Sequence, residues 1–204
     1  MSTRDTMANY VESGRTRQKQ RTRSALVASA RDLVARSGRT PTVAEAAEAA
    51  SVSRTTAYRY FPTQKALLLA AHPEVEAHSM LPPDIGNDPQ ERLEAAVRGF
   101  LAMVVDTEAQ QRTMLRLSLE TTPATQELPL RQGRAIRWFI EALAPLAPLL
   151  GDDGVRQLAV AVRAVAGIEA LVWLEDVAGM TSEEAVEQMV WSALALLHRA
   201  AAPR

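Results

Sequence analysis

Apolar residues recur at helical spacing along most of this chain, and no segment alternates as a half-buried strand would. Leu26, Val27, Ala30, Leu33 and Val34 predict a first helix that starts near Arg17 and is closed by Gly38. Thr42-Val43-Ala44-Glu45 reads as a capping box, so a second helix runs from there through the alanines to Ala50. Ser51-Val52-Ser53 makes a short connection, after which Ser53 caps a helix from Arg54 to Phe61 that stops against Pro62. Thr63 caps a fourth segment, from Gln64 to Ala71, which Pro73 ends. Residues 1–14 carry no period and are expected as a flexible arm.

The stretch from His72 to Asn87 is rich in turn residues and forms the natural junction between a domain at 15–72 and a second at 73–204. In the second, Asp88-Pro89 opens a helix through Leu93, Val97, Phe100, Leu101 and Val104. Residues 107–120 and 130–147 predict two more, the latter interrupted by Pro145 and Pro148. A turn at Gly151-Asp152-Asp153-Gly154 precedes one long helix from Val155 to Val177, which Gly179 caps. Thr181-Ser182-Glu183-Glu184 then starts a last helix that reaches Ala200. The expectation is an all-α fold with no internal repeat.

With 204 residues, 47% of them apolar and 23% charged, the chain has enough apolar material for one generous core or two smaller ones. The absence of cysteine excludes disulfides, thiolate nucleophiles and thiolate metal sites. No uninterrupted apolar run approaches the roughly 18 residues of a membrane span, and the first residues lack a signal-peptide core, so a cytoplasmic protein with no membrane partner is expected. The formal net charge of −1 hides a division: residues 1–65 hold twelve basic against five acidic residues, a net of +7, and the remainder eleven against nineteen, a net of −8. A basic end on an acidic body points the first third towards a polyanion.

Two short helices joined by a three-residue turn, the second rich in hydroxyls, aromatics and arginines, can present a helix to a DNA major groove. Arg54 and Arg59 can donate bidentately to guanine, and Thr55 can bond a base edge or touch a thymine methyl. Tyr58 and Tyr60 offer phenolic donors to phosphates, and Thr42 and Lys65 lie in first turns of helices, where backbone amides favour an anion. Taken singly these residues have plainer explanations. Thr42, Ser53 and Thr63 serve as caps, and Tyr58 or Phe61 as core aromatics.

The run Thr42-Val43-Ala44-Glu45-Ala46-Ala47, followed by Val52-Ser53-Arg54-Thr55-Thr56-Ala57-Tyr58-Arg59-Tyr60-Phe61-Pro62-Thr63-Gln64-Lys65-Ala66-Leu67, resembles the DNA-binding signature of the tetracycline-repressor (TetR) family of bacterial transcription regulators. The resemblance covers residues 18–70. It implies an N-terminal three-helix, helix-turn-helix DNA-binding domain followed by an all-helical ligand-binding and dimerisation domain. It also implies phosphate contacts from Thr42, Thr56, Tyr58, Tyr60 and Lys65, base contacts from Arg54, Thr55 and Arg59, with Ser53 at the head of the recognition helix, and a thymine methyl for Ala44. The basic run Arg15, Arg17, Lys19, Arg21 and Arg23 is an additional candidate for phosphate or minor-groove contacts. Three positions depart from the pattern. Ser51 stands where glycine is usual and must adopt φ > 0 or reshape the turn, and Ala46 and Ala57 stand where larger apolar residues are usual.

In the acidic body, the last helix carries an apolar stripe and the preceding one is apolar almost all round, which calls for a partner surface. The resemblance implies a homodimer through these helices, with Val160, Leu171, Val186, Met189, Val190, Ala193, Leu194 and Leu197 at the interface, matched to a palindromic operator in double-stranded DNA. Glu169, counted at helical phase between Leu158, Val162, Val165, Val172 and Trp173, falls in the innermost stripe. A carboxylate there needs an internal ion pair with Arg116, Arg134 or Arg163, or a ligand. Phe100, Met103, Val104, Met114, Leu117, Trp138, Phe139 and Trp173 join Glu169 as candidates to line a small-molecule effector site, although such residues serve equally as core.

The expected function is ligand-responsive repression, the effector coupling to DNA affinity by the commonly observed ~1–3 kcal/mol. The alternative is a helical small-molecule-binding protein whose N-terminal helices dock a protein partner. No cofactor, metal or catalytic constellation is expected: His72 and His78 bracket Glu74 and Glu76 in a proline-broken segment without helical His-Glu-x-x-His spacing, and neither a nucleophile elbow nor a phosphate loop is present.

Overall fold

Every regular element among the described residues of the computed structural model is a helix, and the description covers residues 3–37, 39–71, 78–120 and 133–202, without the side chains of 3–15, Leu117 and Glu120. The chain divides into two compact units, Met1–His72 and Pro73–Arg204.

The first unit contains α1 (Thr3–Ser37), α2 (Val43–Ala49), α3 (Arg54–Tyr60) and α4 (Gln64–Ala71). α1 packs on α2 and α4, and α2 packs on α3. Its core joins Leu26, Val27 and Ala30 to Val43, Ala46, Ala47, Ala57, Phe61, Leu67 and Ala71. Half of these ten are alanine, so the helices approach closely instead of interdigitating large side chains. Polar side chains close the helix ends: Arg31 Nε donates to the Ala71 carbonyl at 2.8 Å, and Gln64 Nε2 donates to the Pro41 carbonyl at 3.0 Å.

Residues 3–14, expected as an irregular arm, instead continue α1. The packed turns from Leu26 to Val34 supply the nucleus, and extension towards the N-terminus then costs the freedom of only one residue per added hydrogen bond. No proline interrupts it. α2 ends in a Schellman motif, with Val52 N–H donating to Ala47 O at 2.8 Å and Ser51 N–H to Glu48 O at 3.0 Å. Ser51 meets the demand of that motif with φ 54°, the left-handed conformation that its side chain disfavours.

The second unit is built on α5 (Pro89–Asp106), which packs against α7 (Arg134–Leu143) and α10 (Ser182–Ala201). α6 (Glu108–Glu120) lies on α9 (Ile168–Asp176), while α8 (Ala147–Val165) packs on α7 and α10. At its centre Phe100 meets Phe139 edge-on at 5.7 Å and Trp138 at a tilt at 6.1 Å. Arg92 donates to the carbonyls of Glu141 and Ala142, closing the end of α7.

Three boundaries differ from expectation. The helix predicted over 130–147 is interrupted at Pro145 as expected, α7 passing into a 3₁₀ turn, Ala144–Leu146, but Pro148 does not interrupt: it lies in the first turn of α8, which follows directly, and residues 130–132 lie outside the described residues. The predicted turn at 151–154 narrows to a break at Gly151 alone, with φ 69° and ψ 168° inside α8. The single helix predicted from Val155 to Val177 is two, because Ala166 and Gly167 leave helical geometry and the chain restarts at Ile168. The span Arg134–Asp176 is apolar enough by composition to cross a membrane, but 44% of its most apolar window is buried in this core.

Replacing Ser51 by glycine should remove the left-handed strain, offset in part by glycine's larger unfolded entropy, for a net gain of about 0.5 kcal/mol read as a raised thermal midpoint. An unchanged or lowered midpoint would mean that the serine side chain compensates for its own strain.

Candidate nucleic-acid interface

α3 has seven residues, too few to hold a helix alone, and its conformation comes from its ends and one buried edge. At the N-terminus Ser53 Oγ accepts from Thr56 N–H at 3.2 Å and donates to Thr56 Oγ1 at 2.8 Å. Ala57 and Phe61 are buried in the core. The opposite side therefore turns outward: Arg54, Thr55, Tyr58 and Arg59 are exposed, and Thr56 and Tyr60 are half-buried. α3 bears no carboxylate, so the exposed side carries two fixed positive charges and two free-standing hydroxyl donors.

The flanking candidates are placed less simply. Thr42 caps α2 in the predicted capping box, its Oγ1 accepting from Glu45 N–H at 3.1 Å while its own N–H donates to Glu45 Oε2 at 2.6 Å. Donation from the Thr42 backbone, then from its hydroxyl, holds the Glu45 carboxyl below the usual carboxylate range. A charged carboxylate thus occupies the helix end where the sequence suggested a phosphate. Ala44 and Lys65 are half-buried.

The interior of the second unit is separate and differs from its sequence reading. The break at Gly167 resets helical phase, so Glu169 leaves the inner stripe and is 39% exposed. It pairs with Arg163, whose Nη1 and Nη2 each lie 3.2 Å from Glu169 Oε2. Arg163 is the deeper partner at 18% exposure, and its guanidinium lies over the Phe100 ring at 5.6 Å while also donating to the Ala166 carbonyl. Gly167 makes this possible: a Cβ there would lie 2.5 Å from Arg163 Nη1. An isolated glycine within an apolar helical run was the available signal for this break.

Of the other effector candidates, Phe100, Val104, Met114, Trp138 and Phe139 are buried in the core and Met103 is half-buried. Trp173, expected beside Glu169 in the inner stripe, is instead 58% exposed, again because the phase is reset. The Leu117 side chain lies outside the described residues, as do His72, Glu74 and Glu76, whereas His78 is exposed. The sequence did not single out the buried polar edge of α6, formed by Gln110, Gln111 and Thr113. Gln111 Nε2 is buried with no acceptor among the described residues. Next to them Arg112 joins α6 to α9, donating to Asp176 at 2.7 Å and Glu175 at 3.1 Å, which keeps the Asp176 carboxyl below its ordinary range.

The interface candidates divide in two. Leu171, Met189, Val190, Ala193 and Leu197 are buried within their own unit, and this overturns their placement on a dimer face, since a side chain without exposed surface has none to offer a partner. Val186 and Leu194 are half-buried and Val160 is exposed. The large apolar side chains left outside on α9 and α10 are Trp173 and Trp191, the latter 67% exposed. They border two adjoining surface hollows of about 320 and 940 Å³ that share Gln188. Trp191 stood on the polar side of the last helix in the sequence, and a tryptophan in that position was the signal for an exposed contact surface. No protein-family model matches this chain, and no curated protein matches it.

Gly167→Ala should displace the Arg163 guanidinium from Glu169 and the Ala166 carbonyl, destabilising the protein by about 1–3 kcal/mol in denaturant unfolding. A variant as stable as the parent would show that the guanidinium contributes nothing to holding the break.

Proposed function

We propose that the chain is a ligand-responsive transcription regulator of the TetR type, with α2 and α3 as a helix-turn-helix and α3 as the recognition helix. The observation that carries this reading is the two-sidedness of α3. Ala57 and Phe61 anchor it, while Arg54, Thr55, Tyr58 and Arg59 face outward with no acidic neighbour on the same helix. Arginine forks and threonine at one exposed helix face match guanine edges and thymine methyls, and Tyr58 matches a phosphate oxygen. Ser53 and Thr42 act in this reading as caps that fix the two helices.

The second unit is the effector and dimerisation body. The orphaned donor of Gln111 supports an effector with a hydrogen-bond acceptor, since a buried N–H without a partner costs stability that a bound oxygen restores. The exposed tryptophans support homodimerisation through α9 and α10, and a two-fold dimer suits a palindromic operator in double-stranded DNA. The reading assigns the chain no catalytic chemistry, cofactor or metal, no membrane partner, and a cytoplasmic location.

Selection of random duplexes by the purified protein at two salt concentrations should return a palindromic consensus. Arg54→Ala and Tyr58→Ala should each lower affinity for that consensus by about 5- to 150-fold, the ~1–3 kcal/mol of one good contact, with helix content unchanged. Recovery of unselected DNA that washes off with salt, or variants that bind as the parent does, would overturn the reading and favour N-terminal helices that dock a protein.

Trp191→Arg should convert the dimer to a monomer in sedimentation and weaken operator binding. A variant that sediments as a dimer would place the interface on another face.

A further inference from the structure

The outer side of α10 carries its polar groups in a symmetrical order. At 3.6 residues per turn Glu184, Trp191 and His198 fall within about 40° of one another, and at 1.5 Å per residue the glutamate and the histidine stand about 10.5 Å on either side of the tryptophan. All three are exposed, and Trp191 sits near the midpoint of the helix. The row lies across α10 from Ala185, Met189, Ala193 and Leu197, which are buried within the unit. Seven-residue spacing of this kind makes a seam between two helices. A second α10 laid parallel on this seam would set Glu184 on Glu184, whereas one turned end for end about Trp191 sets each glutamate on a histidine. The other acidic group on the seam, Glu187, then falls opposite Ala195, and it is already met by Arg98 of its own chain, with Nη2 3.0 Å from Oε2.

We infer that α10 of a second copy packs antiparallel on this seam, with His198 on the carboxylate of the partner's Glu184 at both ends, and that this pair makes the dimer proton-dependent. The inference rests on the dimer reading and adds its register and its regulation. His198 Nε2 lies 2.9 Å from Gln90 Oε1, an acceptor, so Nε2 carries the hydrogen and Nδ1 is the atom that gains or loses a proton. Glu184 Oε2 accepts from the backbone and hydroxyl of Thr181 at 2.8 and 3.0 Å, which leaves Oε1 for a bond across the seam. The Thr181 backbone donor, then its hydroxyl, hold the Glu184 carboxyl below the usual carboxylate range, so it is charged wherever an imidazole titrates. The other charged groups on the elements packed against α10 are Glu91 and Glu94 on α5 and Asp152, Asp153 and Arg156 on α8, with Arg199 next to the histidine. Those of α9 and Arg163 of α8 are engaged in the ion pairs already described. Carboxylates and guanidinium groups keep their charge across neutral pH, which leaves the imidazole as the group that switches. The pair favours the protonated imidazole, so the dimer is strongest on the acid side of neutrality and weakens as rising pH removes the proton.

The test uses the full chain, which has no cysteine of its own. Glu184→Cys/His198→Cys should close a disulfide-linked dimer under mild oxidation, while each single variant stays unlinked. Within one chain the two positions are about 21 Å apart, too far for a bridge. In sedimentation equilibrium the parent dimer should be about 3- to 10-fold weaker at about pH 8 than at about pH 6, as two solvent-exposed pairs allow. His198→Gln and Glu184→Gln, the latter still able to complete the capping box, should each form dimers whose strength is the same at both pH values. A double variant that stays unlinked overturns the antiparallel register. A parent dimer indifferent to pH, or a His198→Gln dimer that responds as the parent does, overturns the proton dependence. A parent that sediments as a monomer at both pH values overturns the dimer reading itself, so the failures are distinct.

Discussion

Burial of Ala57 and Phe61 against the alanine-lined faces of α1 and α2 is the contact on which the first unit depends. α3 is two turns long and would not persist in water unaided. Its anchor is small on the helix and large just after it, so the helix axis can lie close to α2 while the Phe61 ring fills the space beneath. Ala46 and Ala57, which stand where larger apolar residues are usual in the family the sequence resembles, set this close approach. Once one edge is held, rotation about the helix axis is no longer free, and the cations and hydroxyls of the other edge have one direction left. The caps do the same at the ends: Ser53 sets where α3 begins, and the left-handed Ser51 sets the direction from which it is approached.

The second unit depends on a charge brought to the edge of an aromatic core. Taking a guanidinium out of water is costly unless its donors and its charge are met. Here the Ala166 carbonyl and Glu169 take the donors and the face of Phe100 meets the charge. All three require the chain to break between α8 and α9, and Gly167 is the residue whose missing Cβ leaves room. The break in turn decides which side chains of α9 face inward. Leu171 and Leu174 do, while Trp173 and Glu169 are turned towards solvent.

The local elements were legible because their causes are local. Thr42 with Glu45, Ser53 with Thr56, and Asp88 with Pro89 and Glu91 are caps made within four residues, and each appears at the position where the spacing put it. The exposed edge of α3 was legible for the same reason, since Ala57 and, one turn on, Phe61 mark the buried side of a segment otherwise made of arginine, threonine and tyrosine. Local pattern fails where a long apolar run holds a hidden break. Projecting one helical phase from Val155 to Val177 carried Glu169 and Trp173 inward, and one glycine invalidates that projection. Treating the stripe of Met189, Val190, Ala193 and Leu197 as an interface confused an apolar face with an available one, since α5 and α8 already cover it.

What the sequence determined by itself is the helical class, most of the helix starts, the division of charge between the two halves, and the group of residues on α3. These follow from periodicity, capping and composition, which act over a few residues. Tertiary structure decided how far α1 extends, where the apolar run of the second half breaks, which apolar residues stay outside, and which carboxylate Arg163 meets. Those outcomes depend on volume and desolvation among segments far apart in the chain, and no local pattern encodes whether a neighbouring helix has already covered a face.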